Sequence, residues 1–441
     1  MINVEDLKYK YSNALNGVNP LLKSGRVSRV VGLSLESLGP KAPVGEICEL
    51  KNKNGDVVNR SEIVGFRDNK IISMILGELT EISPGMEINA TGEALSINLD
   101  DKLLGRILNG LGEPIDGKPA LKSVHRRSVY AIPPNPLLRR RITEPISTGI
   151  RAIDGMLTFG KGQRVGIFAG SGVGKSTLLG MIARNTNADI NVIALIGERG
   201  REVREFIEKD LGKEGLDRSI VVVATSDMPA LVRIKAALTA TTIAEYFRDR
   251  GMDVMLMMDS VTRLAMAQRE VGLTVGEPPT SKGYTPSVFS LMQKTMERAG
   301  TSDVGSITGL YTVLVEGDDF NEPISDTARG ILDGHIILSR KIASMGHYPA
   351  IDVLESISRL RKEVVTTEHN QAAYELQSIM ATYRGAEDLI SVGAYQKGTN
   401  PRIDRAIRLN DAINYFLRQK VDEYIEFDQT VEALLTISKA E

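Results

Sequence analysis

One stretch constrains this chain more than any other: Arg164-Val-Gly-Ile-Phe-Ala-Gly-Ser-Gly-Val-Gly-Lys-Ser-Thr177. It reads as an apolar strand over Val165–Phe168, a glycine-rich turn, and a helix opening at Lys175. Gly170, Gly172 and Gly174 are expected to adopt φ values that other residues resist, so that backbone N–H groups face inward. Together with the helix N-terminus, amides so arranged form a nest for phosphate oxygens. Gly170, Ser171, Gly172, Val173, Gly174, Lys175, Ser176 and Thr177 are therefore the candidate nucleotide cradle. Lys175 would reach the β- and γ-phosphates, and the Ser176 hydroxyl would ligate Mg²⁺. Ala169 stands where the usual G-x-x-x-x-G-K-[ST] pattern has its first glycine.

The segments on either side follow different rules. In residues 1–24, Val4, Leu7, Tyr11, Leu15 and Val18 recur at helical spacing. Gly17 and Pro20 should end that helix near Asn16. From the residues alone, it packs on its own barrel, frays, or serves as a docking handle. Residues 25–92 switch to short alternating strands such as Arg26–Val31, Gly45–Leu50, Glu62–Phe66 and Lys70–Leu76. Turn signals fall at Gly39-Pro40, Asn54-Gly55 and Pro84-Gly85. About six strands in so short a span predict a small β-barrel. Gly105–Asp116 and the proline-rich Ile132–Pro136 read as a connection, and its basic pairs and triplets (Arg126-Arg127, Arg139-Arg140-Arg141) as solvated faces.

Strand and helix then alternate through a central region spanning 93–370. Near-continuous apolar runs at Arg164–Ala169, Asn191–Gly197, Ser219–Thr225, Asp253–Asp259, Ser306–Gly317 and Gly334–Arg340 predict a mostly parallel sheet covered on both faces. Helical stretches such as Glu202–Lys209 and Pro229–Arg248 separate them. Residues 371–441 keep helical spacing apart from a break at Gly393–Pro401. The fold class is α/β: an N-terminal β-barrel, a central domain with a mostly parallel sheet around the glycine-rich loop, and a C-terminal helical domain.

Composition narrows the partners. The net charge is −2, and the barrel segment holds one aromatic residue, Phe66, whereas single-stranded nucleic-acid barrels need stacking platforms. No nucleic-acid partner is expected. A single cysteine, Cys48, excludes an internal disulfide framework and fits a reducing compartment. Its alternating context makes it a core thiol. No apolar run is long enough to span a bilayer, so any membrane association is expected to be peripheral.

Three further patterns carry chemistry. Asp253-Val-Met-Leu-Met-Met-Asp259 is an apolar strand ending in a carboxylate, expected beside the P-loop strand with Asp259 in the water shell of Mg²⁺. Ile196-Gly-Glu-Arg-Gly-Arg-Glu202 ends another strand at the edge where ligands bind, and Glu198 there would orient the attacking water. Arg359, following Pro349-Ala-Ile-Asp-Val-Leu-Glu-Ser-Ile-Ser358, has a planar guanidinium suited to a transferring phosphoryl group.

With Ala169–Thr177, Gly197–Glu202 and Pro349–Ser358, the chain resembles the catalytic-type subunits of rotary ATP synthases and their hexameric relatives. Within that superfamily it is similar to the flagellar protein export ATPases and their type III secretion sisters. The subgroup is marked by Phe168–Thr177, Glu245-Tyr-Phe-Arg-Asp249, Met266-Ala-Gln-Arg-Glu270, Gly276–Pro286 and Val315-Glu-Gly-Asp-Asp319. Ala169 is normal in that subgroup.

The resemblance implies that the central domain is a RecA-like P-loop ATPase domain, and that the chain forms a homohexamer hydrolysing Mg-ATP at subunit interfaces. Arg199 and Arg263 match arginines near the γ-phosphate, Arg359 the finger inserted from a neighbouring subunit, and Tyr348 an adenine-stacking tyrosine. The rest of the adenine pocket is expected near Phe416–Val421. Also implied are a regulatory stator dimer bound through residues 1–18, an export gate, a central stalk protein and chaperone–substrate complexes. The place of action is the cytoplasmic, inner face of the cell membrane at the flagellar basal body.

An injectisome ATPase or a synthase catalytic subunit shares the chemistry. Ala169, Gly276–Pro286 and the short N-terminal helix stand against the synthase. A hexameric RNA translocase would need aromatics in the barrel, and a non-catalytic subunit would replace Glu198.

Overall fold

The computed structural model describes residues 23–78, 81–119, 121, 125–315, 317 and 319–440. The helix expected within residues 1–24 lies outside them. The chain divides into two compact units, one ending at Leu95 and one beginning at Ser96.

In the first unit six strands close a barrel: β1 (Ser24–Val31), β2 (Ser34–Leu38), β3 (Glu46–Lys51), β4 (Val57–Arg67), β5 (Lys70–Ile75) and β6 (Glu87–Ala94). Around the barrel their order is β1-β2-β5-β4-β3-β6, every neighbour antiparallel. Alternation sends Val27, Leu35, Leu50, Ile63, Ile75 and Ile88 inward to one core. Register shifts between Ile63 and Gly65, and between Val27 and Arg29, bend strands enough for closure. Asp68 and Asn69, both at positive φ (49° and 60°), form the two-residue turn from β4 to β5. Cys48 is fully buried, as its alternation predicts, and burial pushes its thiol up to about 12.

The second unit is built on a nine-stranded sheet. Its main strands are β7 (Ile107–Asn109), β8 (Arg164–Ala169), β9 (Ile190–Ile196), β10 (Ser219–Ala224), β11 (Asp253–Asp259), β12 (Ser306–Leu314), β13 (Gly334–Leu338) and β14 (Ile357–Ser358). The order is β14-β13-β8-β12-β11-β9-β10-β7, parallel except for β14 and for Gly300–Thr301 against β12. Two expectations change here. First, β11 is not adjacent to the P-loop strand β8, because β12 lies between them. Second, the presumed connection Gly105–Asp116 supplies the edge strand β7, paired with β10. Burial alone would raise the Asp116 carboxyl beneath that strand. Arg106, with the backbone amides of Lys118 and Ile107, outweighs burial and holds it down to about 2.

The helices that matter for the site are α1 (Lys175–Asn185), α2 (Ala230–Arg248), α3 (Val261–Val275), α4 (Thr367–Ser391), α5 (Pro401–Leu417) and α6 (Phe427–Ser438). α2 is buried almost all round, with Lys235 over the Tyr130 ring and Glu245 in a bidentate pair with Arg298. The last three helices pack Leu376, Ile379, Leu409, Ile413 and Leu434 into the same core as α1.

Of the basic runs, Arg126, Arg140 and Arg141 are exposed as expected, whereas Arg127 and Arg139 are half-buried. Arg139 donates to the carbonyls of Glu297 and Ala299, where the Pro286–Glu297 helix has run out of its own donors, and Arg140 to that of Ser302. The expected helix over Glu202–Lys209 is observed as Gly200–Glu205, continued by a wider π-type turn over Phe206–Leu211.

Candidate active site

β8 is buried along its length and delivers the glycine loop at its carboxyl end. Of the three glycines expected at unusual angles, Gly172 (φ 77°) and Gly174 (φ 89°) adopt them and Gly170 does not. Gly174 is the N-cap of α1, and no side chain among the described residues caps that helix. Its first N–H groups are therefore left for an anion. Val173 plugs the loop into the core. Ala169 is 1 % exposed, its methyl group accommodated inside, so a glycine is not required there. The Thr177 side chain turns to the Asp210 carboxylate, leaving its backbone amide for a ligand.

The electrostatic centre is the Lys175 ammonium. Its Nζ donates to Asp259 Oδ1 at 2.5 Å and lies 3.5 Å from Glu198 Oε1. Thr312, on the intervening β12, donates to the same Asp259 oxygen at 2.7 Å. That hydroxyl bridges the extra strand, and so Asp259 still reaches the P-loop lysine. Register explains the convergence: Ile167 faces Thr312 and Leu195 faces Asp259, so the ends of β8, β9 and β11 share one edge.

Burial pulls the Lys175 pKa down, but the adjacent Asp259 and Glu198 charges outweigh it and leave it raised. Glu198 is raised as well. Burial dominates, the Lys175 charge opposes it, and the Asp259 charge with the Glu202 hydrogen bond adds to it.

The remaining candidates divide. The aliphatic part of Arg263 lies against Gly197, and its buried Nε has no partner among the described residues. Arg199 points outward, 77 % exposed, and pairs with Glu202 at 3.3 Å. The Tyr348 ring lies 3.6 Å from where a Cβ on Gly174 would stand, beside the phosphate loop. Within the expected adenine segment, Phe416 is buried against Gly155 and cannot stack on a base, whereas Val421 is half exposed.

Arg359 follows β14 at the opposite end of the sheet, its N–H on the Asp333 carbonyl at the level where β8 begins. Five residues of strand separate that level from Ala169, about 17 Å at the usual rise. Arg359 is exposed and lines an open cavity with His335, Lys362 and Tyr374.

An uncapped helix N-terminus, a buried ammonium and an unpartnered buried guanidinium Nε suit a polyanion. The oxygens beside them (Ser176, Glu198, Asp259) are hard donors, and among the described residues no cluster of three or more His, Cys, Asp or Glu forms a metal cage. That donor set fits Mg²⁺ held largely by phosphates and water. Thr312 and Asp210 carried no sequence signal: one is a hydroxyl in an apolar run, the other an acid in a charged helix.

A phosphate loop at the carboxyl edge of a parallel sheet, with a barrel and C-terminal helices, defines a P-loop ATPase of the barrel-bearing kind. The ATP synthase alpha/beta family nucleotide-binding domain matches residues 149–358, that family's beta-barrel domain residues 27–92, and the T3SS EscN ATPase C-terminal domain residues 365–436. The flagellum-specific ATP synthase of Bacillus subtilis (strain 168) is 54 % identical over 416 residues, covering 94 % of this chain and 95 % of that protein. The type 3 secretion system ATPase of Xanthomonas euvesicatoria is 50 % identical over 414 residues, 94 % of each. The assembled ATPase EscN in complex with its central stalk EscO, from enteropathogenic E. coli, superposes with a TM-score of 0.87 at 45 % identity. It covers 94 % of this chain and 100 % of that one. The chain belongs to the ATP synthase alpha/beta family, in its branch of flagellar and type III secretion ATPases.

Lys175 neutralises two carboxyls that are 4 % and 14 % exposed. In nucleotide-free protein, Lys175→Met should lower stability by about 3 kcal/mol at high pH, where a buried charge would be left unpaired. The sign follows from linkage: without the ammonium the Glu198 carboxyl, already raised by burial, shifts further up and takes a proton as pH falls. The loss should therefore shrink between about pH 8 and pH 5, below which carboxyls begin to protonate even when unfolded. Denaturant titrations at the two pH values test this, and an equal loss at both would contradict it.

Proposed function

We propose that this chain hydrolyses Mg-ATP as a homohexameric ring and energises flagellar protein export at the cytoplasmic face of the cell membrane. The observation that carries the catalytic reading is the Lys175 ammonium, buried and shared by Asp259 and Glu198 at the mouth of the phosphate loop. An ammonium parked on two carboxylates can move to a nucleotide's phosphates when they arrive. That frees Asp259 for the metal's water shell and Glu198 for the attacking water.

When bound, Mg²⁺ supplies neutralising charge to the β- and γ-phosphates. Ser176 would hold it, Glu198 would orient the water and accept its proton at a carboxylate oxygen, and Arg263 would turn its unpartnered Nε to the γ-phosphate. Tyr348 would stack on adenine, and Arg199, outward in this chain, would turn inward or meet a neighbour.

The place of Arg359, a strand's length from its own phosphate loop, supports a finger acting on the neighbouring subunit. EscN is named as an assembled ATPase with a central stalk, which supports a ring and a stalk partner here. The 54 % identity to a flagellum-specific relative favours flagellar service. Among the described residues no helix is long and apolar enough to cross a membrane, in keeping with peripheral association. The stator dimer on residues 1–18, the export gate and chaperone–substrate complexes complete the proposal.

Glu198→Gln should bind ATP yet turn it over at least ~10²-fold more slowly, since a positioned base is lost. Near-normal turnover in steady-state assays would contradict the assignment.

Arg359→Ala and Lys175→Ala should each be inactive alone and regain part of the activity when mixed, because one intact interface then forms from two defective chains. Mixtures as inactive as either parent would place the finger in its own subunit.

A further inference from the structure

We infer that Gln163 is the positioning residue for Arg359: its buried amide holds the backbone from which that guanidinium reaches the neighbouring subunit. The inference rests on the reading of Arg359 as a finger acting in trans, given above.

Gln163 is fully buried and immediately precedes the phosphate-loop strand β8. Its Nε2 donates to the Asp333 carbonyl at 3.0 Å and to Ser358 Oγ at 3.2 Å, and its Oε1 accepts from the Gly160 N–H at 2.9 Å. Both amide hydrogens and the amide oxygen are committed, so the side chain has one orientation. Its main chain is fixed as well. The Gln163 N–H donates to the Gly160 carbonyl at 2.9 Å, and its carbonyl accepts from Gly309 of β12 at 3.0 Å.

The two acceptors of that amide bracket Arg359. Ser358 is the residue before it, and the Ser358 hydroxyl donates onward to the Thr158 carbonyl at 2.9 Å. The Asp333 carbonyl also accepts the Arg359 N–H, at 3.1 Å. One buried amide therefore grips the chain at the finger through both a side chain and a shared carbonyl. The Arg359 side chain is exposed and donates to the Arg329 carbonyl at a long 3.3 Å, so its reach is set by where the backbone stands.

The ladder gives that backbone a weak hold, since β14 is two residues long and pairs with β13 only through Gly334–Ser358 and His335–Ile357. Just upstream, Ser356 Oγ accepts from the Ile337 N–H at 2.9 Å. The two serines that end the Pro349–Ser358 segment thus pin successive points of the approach to Arg359. Gly334 makes room for the clamp: a Cβ there would stand 2.6 Å from the Ile357 carbonyl oxygen and 3.4 Å from Gln163 Nε2.

Gln163 lies at the start of β8, a strand's length from the phosphate loop, where Lys175 is held by Asp259 and Glu198. Its removal should spoil the finger a chain offers its neighbour and spare the phosphate loop the chain keeps.

Mixing experiments separate those two effects. Gln163→Met keeps length and packing and removes all three side-chain hydrogen bonds. Ser358→Ala cuts the clamp from its other side, at a half-buried position, so the test does not depend on one buried substitution. Each variant alone should lose about ten- to a hundredfold in kcat, the scale of an ångström's misplacement, with KM for ATP within about twofold. Mixed with Lys175→Ala, which carries an intact clamp and finger, each should regain activity. Mixed with Arg359→Ala, which offers a phosphate loop but no finger, neither should. Recovery with Arg359→Ala, or with neither partner, would overturn the inference, because a merely structural residue under β8 would disable its own phosphate loop. Unchanged kcat in both variants would overturn it too. The reference mixture of Arg359→Ala with Lys175→Ala tells the two readings apart: no gain there refutes the trans finger itself.

Discussion

A primary ammonium buried between two carboxylates organises this molecule. Lys175, Asp259 and Glu198 come from three separate strand–loop junctions, and each would be costly to bury alone. Their mutual neutralisation lets the carboxyl edge of the sheet close over them in the absence of ligand. It also leaves the site poised, because a phosphate competes for the same ammonium. Thr312 adds the detail that makes this geometry possible: with β12 between β8 and β11, Asp259 would have no lateral support without a hydroxyl on the intervening strand.

The two ends of the central sheet carry different candidate residues. The carboxyl edge holds the phosphate loop, while Arg359 sits at the other end, tied through the Asp333 carbonyl. The Asp333 carboxylate in turn pairs with Arg164, the first residue of the phosphate-loop strand, at 3.0 Å. Arg359 and the phosphate loop of its own chain thus sit at opposite ends of the sheet. Motion at one end has a covalent route to the other.

Much of this was legible in the sequence because parallel strands covered on both faces are continuous apolar runs, and all six such runs fold as strands. Strand order was not legible. Nothing in Asp253–Asp259 says which neighbour it takes, and so β12 was not foreseen beside β8. The three-residue β7 hides in a glycine-rich segment too short for periodicity to register. The bonds that Arg139 and Arg140 make were not legible, because their partners are backbone carbonyls some 160 residues away, which composition cannot reveal. At the site, Lys175, Glu198, Asp259 and Tyr348 were readable from motif or resemblance.

The central claim is that nucleotide takes the lysine away from the carboxylates. A structure of the Glu198→Gln variant with Mg-ATP, at a resolution that places side chains, tests it most directly. The account predicts Lys175 Nζ on β- and γ-phosphate oxygens and beyond hydrogen-bond distance of Asp259, with Asp259 turned to the metal's water. Bound nucleotide with Lys175 still on Asp259 at its present 2.5 Å would contradict it.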